Sequence, residues 1–543
     1  MIHRLLLFFS LALLLGVSSV NAQPVINANE YWTNLLSLSY DYQTNGSVRY
    51  LVQDPSNPNN LCAIMMASPD NLATSRYTYF SYSTDGGNTW GPQQAVTTTT
   101  RHGFPCMTLS DGVPVIVDHG GSPTTALAYS DVIFCLTTFN PLGSIVMDGY
   151  IWPHTTGTAN GNVVVVAAPN DGGPFRGNWC TYNTQSLSWS SWTATPSIGG
   201  PSGNFDISAG PNGEVYIIGT DYAGTEAMYV YKSTDNGLTF DAGTMIFDYL
   251  VDGSDTLYAF IDGGKSSVWT DDGEFHLTFM VYGNNVTAYG TNGFDAPGNR
   301  ILHWNETSGL SYVAGYDNMP GLDTVVYTAL MNPVCQPSIG KTANGTLVCA
   351  FTAFVNGNTQ IVANGDTLTA GEIFYSYSAD GGLNWADPIN VTNTPGIEEK
   401  HPSVVESTND NTVKMTYVRD KLAGGWVNVA AWGADSVWTI YYNGATVGIN
   451  PNTGLVESYE LLQNYPNPFN PSTTIKYHLA KAGFVSLKVY DITGREVKSL
   501  VNQRQEFGEY SVTFDAASLP SGVYYYTIKA GDFVSTKKMV LLK

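Results

Sequence analysis

Seven polar residues recur where a repeated strand opens, and together they could bind or transform a polar ligand. They are Arg49, His102, His154, Asp206, Lys265, Gln336 and His401, with Glu398, Glu399 and Lys400 just ahead of the last. Imidazoles beside a carboxylate support acid–base chemistry near neutrality, and a guanidinium supports anion capture. Arg49 is the expected anion anchor; His102, Asp206, Gln336 and His401 are the best ligand contacts. His102 and His401, joined by His154, would make binding pH-sensitive near the ordinary imidazole pKa of about 6.5. A second polar set closes the same hairpins: Asp118-His119, Asp221-Tyr222 and Arg419-Asp420. Any of these side chains could equally serve only to tie neighbouring strands together. No residue is assigned a catalytic role. There is no G-x-S-x-G turn to present a serine nucleophile. No C-x-x-C pair points to zinc, and Asp271-Asp272-Gly273 matches the hairpin turns of the other repeats, so neither a metal nor a cofactor is expected.

The elements that must position these residues are strands. A weak repeat runs through residues 46–445: a strand opening, a turn rich in Asp, Asn and Gly, then a more apolar strand. Its turns include Asp111-Gly112, Asn160-Gly161, Asn212-Gly213, Asp272-Gly273 and Asn344-Gly345, and seven copies can be traced. A shorter motif punctuates three of them. Ser83-Thr84-Asp85-Gly86-Gly87-Asn88-Thr89-Trp90 reads S-x-D-x-G-x-T-W, and Ser233 to Phe240 and Ser378 to Trp385 repeat it. The carboxylate suits capping of loop amides, the glycine permits positive φ, and the aromatic packs beneath the turn. The expected structural residues are Ser83, Asp85, Gly87 and Trp90, then Ser233, Asp235, Gly237 and Phe240, then Ser378, Asp380, Gly382 and Trp385.

This motif resembles the Asp-box, or BNR repeat, of sialidase-like β-propellers. The resemblance implies an all-β propeller, seven-bladed by the count above with six possible, and puts the boxes on the rim away from the ligand. It does not supply sialidase catalytic residues. That family clamps a carboxylate with three arginines, whereas residues 23–461 hold only Arg49, Arg76, Arg101, Arg176, Arg300 and Arg419, with no Arg-Ile-Pro opening.

Both ends read as addresses. Residues 1–22 form a signal peptide, with Arg4, an apolar run from Leu5 to Val17 and a small-residue cleavage site ending at Ala22. The propeller is expected over 23–445 and a linker over 446–461. Residues 462–543 alternate like a small Ig-like β-sandwich. The ordered motifs from Asn464-Tyr465-Pro466-Asn467-Pro468 through Asp491-Ile492-Thr493-Gly494-Arg495 to Lys537-Lys538-Met539 resemble the C-terminal sorting domain of type IX secretion cargo. That resemblance implies the secretion machinery as a partner and a secreted or outer-surface location.

The chain carries a formal charge of −22. The C-terminal segment is basic by four, so residues 23–461 hold twelve bases against thirty-nine acids, a net of −27. Such a body repels phosphate backbones, which argues against nucleic acid. No integral membrane segment is expected after signal cleavage. Six cysteines, at 62, 106, 135, 180, 335 and 349, leave disulfides and buried thiols both open. The expected function is binding of an extracellular ligand, a glycan or glycoprotein. The alternatives are a sialidase-like glycoside hydrolase with carboxylates at the channel mouth, and an adhesion or matrix protein.

Overall fold

A computed structural model describes residues 26–445 and 460–542, apart from 39–46, 69–74, 143–148, 200–204, 222–226, 284–298, 324–331, 424–435 and stretches of four residues or fewer. The signal segment and most of the linker lie outside the described residues. The chain divides into two compact units, Met1–Thr446 and Val447–Lys543.

The larger unit is a seven-bladed β-propeller. Seven antiparallel sheets follow one another along the chain, with inner strands Leu51–Gln53, His102–Ser110, Tyr150–Gly157, Asp206–Ala209, Lys265–Trp269, Val334–Lys341 and Glu398–Val404. These open blades one to seven. The second strands, such as Leu61–Ala67 (LCAIMMA) and Val163–Pro169 (VVVVAAP), are buried throughout. Each is covered on both faces by neighbouring blades, which explains apolar runs in place of alternation. Blade seven pairs Glu398–Val404, Thr412–Asp420 and Val437–Ala445 with an outer strand from the other end of the unit, Glu30–Ser37. The ring is therefore closed by pairing the two ends of the unit within one sheet.

Small hydroxyls sew blade to blade. Thr108 Oγ1 accepts from Gly157 N at 2.9 Å, Ser266 Oγ from Ile339 N at 3.0 Å, Ser338 Oγ from Val404 N at 2.9 Å, and Ser403 Oγ from Tyr50 N at 2.8 Å. Each bond joins one blade to the next. They satisfy N–H groups that inner-strand edges would otherwise leave buried and unpaired.

The three S-x-D-x-G-x-T-W-like turns join the third and fourth strands of blades one, four and six. Asp85 accepts from Thr89 N at 2.9 Å and from the Thr89 hydroxyl at 2.6 Å, while Ser83 Oγ accepts from Gly87 N. Asp235 and Asp380 cap their loops in the same way. The turn glycine serves a second purpose. Gly87, Gly237 and Gly382 have positive φ, and a Cβ there would strike Tyr441, Val164 and His303 respectively, all in the preceding blade. The closing aromatics reach the same neighbours: Trp90 packs on Tyr441, Phe240 on Trp179 and Trp385 on His303.

The smaller unit is a β-sandwich. One sheet runs Glu460–Leu461, Ser472–Leu479, Gly508–Asp515; the other runs Glu496–Gln505, Gly483–Asp491, Gly522–Ala530, Phe533–Leu541. Its core includes Ile475, Tyr477, Leu487, Val489, Tyr526 and Met539.

Candidate functional site

Four inner strands open with the same irregularity. Their register slips between Gly103 and Cys106, Ile151 and His154, Cys335 and Ser338, and Lys400 and Ser403. Within each slip one residue adopts positive φ: Phe104, Trp152, Gln336 and His401. Every one precedes a proline, Pro105, Pro153, Pro337 or Pro402. Proline cannot donate to the ladder, so the strand bulges there, and a non-glycine residue is held in a region costing about 1–3 kcal/mol.

This corrects the alignment expected from sequence. His102 and His154 do not occupy the places of Gln336 and His401, because the bulge residues of blades two and three are aromatic. His102 is buried: its Nδ1 lies 3.2 Å from Asp118 Oδ1 and its Nε2 2.6 Å from Thr100 Oγ1. Asp118 also accepts from Thr78 at 2.6 Å. His154 and Lys265 are likewise buried, and burial, with Lys265 adding repulsion, pulls the His154 imidazole down to about 3. His401 Nδ1 accepts from Gln336 Nε2 at 2.9 Å, and Gln336 Oε1 accepts from His401 N. Burial and then Lys400 push His401 well below the ordinary imidazole range. His154 and His401 therefore stay neutral across pH 6–7, and a ligand switch near 6.5 cannot come from them.

Arg49 is not a free anion anchor. Its guanidinium lies 3.0 Å from Glu406 of blade seven and donates to Ser267 O of blade five at 3.0 Å, crossing the channel. The Ser267 hydroxyl donates to the Asp206 carboxylate. Burial pushes partly exposed Asp206 up to about 6, against the pull of Arg49 and of that hydroxyl. Ser47, Gly264 and Gln336 crowd together at the same level, since a Cβ on Gly264 would meet both of the others. Arg49, Asp206 and Gln336 thus stand among contacts that cross the channel.

Of the second polar set, Asp118 serves His102, and Arg419 is buried among carboxylates. Arg419 donates to Glu30 through Nη1 and Nη2 at 2.9 and 2.8 Å, and through Nε to Glu399 at 2.8 Å. Burial pushes Glu399 up to about 8, although Arg419 opposes it. Tyr222 lies outside the described residues.

His119 belongs to an arrangement that sequence reasoning missed. Its ring stacks on Phe104 at 5.0 Å and 9°, and Trp152 stands edge-on to both at 6.5 Å. Arg76 lies over the other partner of the stack, 5.0 Å from the Phe104 centroid, and donates to His102 O at 3.1 Å. Trp152 N donates to His119 Nδ1 at 3.0 Å, which leaves the ring proton on Nε2. Burial first, then Arg76, His102 and Arg101, pull His119 down to about 3. A neutral imidazole N–H, two half-buried aromatic planes and two arginines thus gather where the inner strands begin. The available signal was the scarcity of arginine: Arg101, one of the body's six, directly precedes the opening of blade two, whereas Arg76 reaches it only in the fold.

Among the described residues no group of His, Cys, Asp or Glu could hold a metal ion. Cys62, Cys106, Cys180 and Cys349 are free thiols, and they and Cys335 are buried.

Comparison with known proteins identifies one segment. Residues 463–542 match the family described as the Secretion system C-terminal sorting domain. The protein is accordingly delivered by type IX secretion to the cell surface or beyond. No curated protein matches the chain. Among solved structures, it is similar to an ulvan lyase of a polysaccharide lyase family at 10% identity, with 76% of this chain and 95% of that one covered and a TM-score of 0.49. It is also similar to the NanB sialidase of Streptococcus pneumoniae at 11% identity, covering 78% and 71%, with a TM-score of 0.39. PorZ, a surface component of the type IX secretion system of Porphyromonas gingivalis, matches at 12% identity over 90% and 74%, with a TM-score of 0.21. At such values the strand pairing itself is the ground for the fold.

Proposed function

We propose that this is an exported β-propeller that binds an extracellular glycan on the face where its inner strands begin. The observation that supports this most is the cluster of Phe104, His119 and Trp152 with Arg76 and Arg101. Aromatic planes suit the apolar faces of sugar rings, and a fixed N–H donor suits a hydroxyl. Two arginines at this opening favour a sugar unit bearing a carboxylate or sulfate, held at short range by charge-assisted hydrogen bonds against the long-range repulsion of a body of net charge −27. The buried His102, Gln336 and His401, with partly exposed Asp206, then act behind this surface, as supports for the strand openings. A glycan array probed with the secreted chain tests the reading. Acidic glycans should bind, and Trp152→Ala and Arg101→Ala should each weaken them about tenfold or more. An array without hits, or hits indifferent to both substitutions, would overturn it, and capture of a protein partner would favour adhesion.

Glycoside hydrolysis is the second reading, and Asp206 is what favours it. A partly exposed carboxyl held near 6 is suited to a general acid, and Glu406 stands on the other side of Arg49 as a second carboxylate. Release of reducing sugar that Asp206→Asn abolishes, in a chain that still folds, would establish it.

A further inference from the structure

The channel also opens at the opposite end, where the inner strands finish. There a cavity of about 480 Å³ is lined by residues from all seven blades. We propose that this cavity binds a primary ammonium on an aliphatic stem, such as a lysine side chain of a partner or a free alkylamine.

The walls are apolar. Val52, Leu109, Ala209 and Val405 come from blades one, two, four and seven, and they would cover a chain of methylenes. Besides neutral Gln53, Thr158, Thr270, Ser407 and Asn409, the lining holds three charged side chains that are paired in a particular way. Lys341 is bonded to Asp271, and Glu406 is bonded through Oε2 to Arg49. Arg49 reaches Glu406 from inside the channel and is itself only 12% exposed. The two cations are thus committed to carboxylates. Asp271, at 91% exposure, and Glu406, at 37%, each keep an oxygen whose lone pairs face solvent. The free capacity of the charged groups is therefore acceptor capacity. A ligand must bring donors, and an ammonium brings three.

Long-range charge acts in the same sense. The turns around this mouth carry Asp272, Glu274 and Asp410, and the body has a net charge of −27. A cation is drawn toward such a face and an anion is turned away. Lys341 is the group that opposes the ligand, since it already occupies Asp271. Its removal should therefore help an amine.

Calorimetric titration of the intact secreted chain with n-butylamine and with N-acetyl-lysine amide tests the proposal. Both should bind, more weakly as salt rises, and the Nε-acetylated lysine amide should not. Asp271→Asn, on an exposed side chain, and Glu406→Gln should each weaken binding, with about a tenfold loss for Glu406→Gln. Lys341→Gln should strengthen it. Thermal melting of each variant shows whether the fold is kept, and Asp271→Asn carries the test if Glu406→Gln destabilises. Equal binding of the acetylated amide would mean a neutral site and would overturn the proposal. So would loss of binding in Lys341→Gln, the mark of an anion site, or the absence of amine binding at millimolar concentration.

Discussion

At the scale of single residues, the side chains that looked most available for chemistry are mostly engaged in holding strands, and the reason is burial. Histidine, lysine and arginine at strand openings suggested a ligand ring, but sequence carries no sign of which polar residues will meet across a closed channel. Arg49 illustrates this: Ser267 and Glu406 lie far from it in the chain and only the ring brings them together. The turn residues were legible because their partners are local. Asp85 bonds within its own octapeptide, so its role follows from the motif alone. Asp85→Ala should cost about 1–2 kcal/mol by leaving those donors unpaired. Gly87→Ala should cost more, about 2–4 kcal/mol, because positive φ strain adds to a clash with Tyr441. Denaturant melts of the two variants check the order. A milder effect at Gly87 than at Asp85 would mean that the turn is not an interblade contact.

At the scale of elements, seven repeats were readable from their turns, and they are seven sheets. The closing strand was not readable. Glu30–Ser37 shows no turn signal and belongs to a sheet whose other strands lie almost four hundred residues away. What fixes it is a buried charge cluster. Glu30 accepts from Arg419 through both oxygens and from the Tyr417 hydroxyl at 2.6 Å. Two carboxylates share one guanidinium here, and burial, with a smaller push from Glu30, holds the proton on Glu399 up to about 8 although Arg419 opposes it. Removing Glu30 would take from Arg419 the carboxylate that accepts from both of its Nη atoms and would unfasten the strand. Glu30→Ala should cost about 3–5 kcal/mol, as expected when one partner of a buried pair is lost. Hydrogen exchange should then rise along both 30–37 and 437–445. Exchange confined to the first segment would show that the strand is an accessory to a ring closed without it. The prolines at four strand openings were also visible in sequence. The bulges they impose were not, because a period-two reading assumes an unbroken register.

At the scale of the whole molecule, the two units divide the labour. The C-terminal sandwich is the address and the propeller is the cargo, so deleting 456–543 should abolish export and leave the melting of the body nearly unchanged. Loss of body folding on that deletion would show that the tail is part of the propeller's stability. The acidity of the body was legible as composition, but its response to pH depends on burial that composition does not reveal. Burial holds His119, His154 and His303 down to about 3 and His276 to about 4, and pushes His401 well below its ordinary value. A histidine with a depressed folded-state pKa contributes its full stability above its unfolded value of about 6.5. That stability is lost as pH falls from there toward the folded value, because the unfolded chain takes up the proton first. Asp206, Glu372 and Glu399 act in the opposite sense, since their raised folded-state pKa values add stability as pH falls toward the ordinary carboxyl range. Five imidazoles against three carboxyls leave a net loss. Each histidine contributes up to roughly 1.4 kcal/mol per pH unit in this window. The melting temperature should therefore drop between pH 7 and pH 5, with net proton uptake on unfolding across the same range. A flat or rising melting temperature there would mean that the carboxyls outweigh the histidines, or that the propeller core admits enough water to let its imidazoles titrate normally.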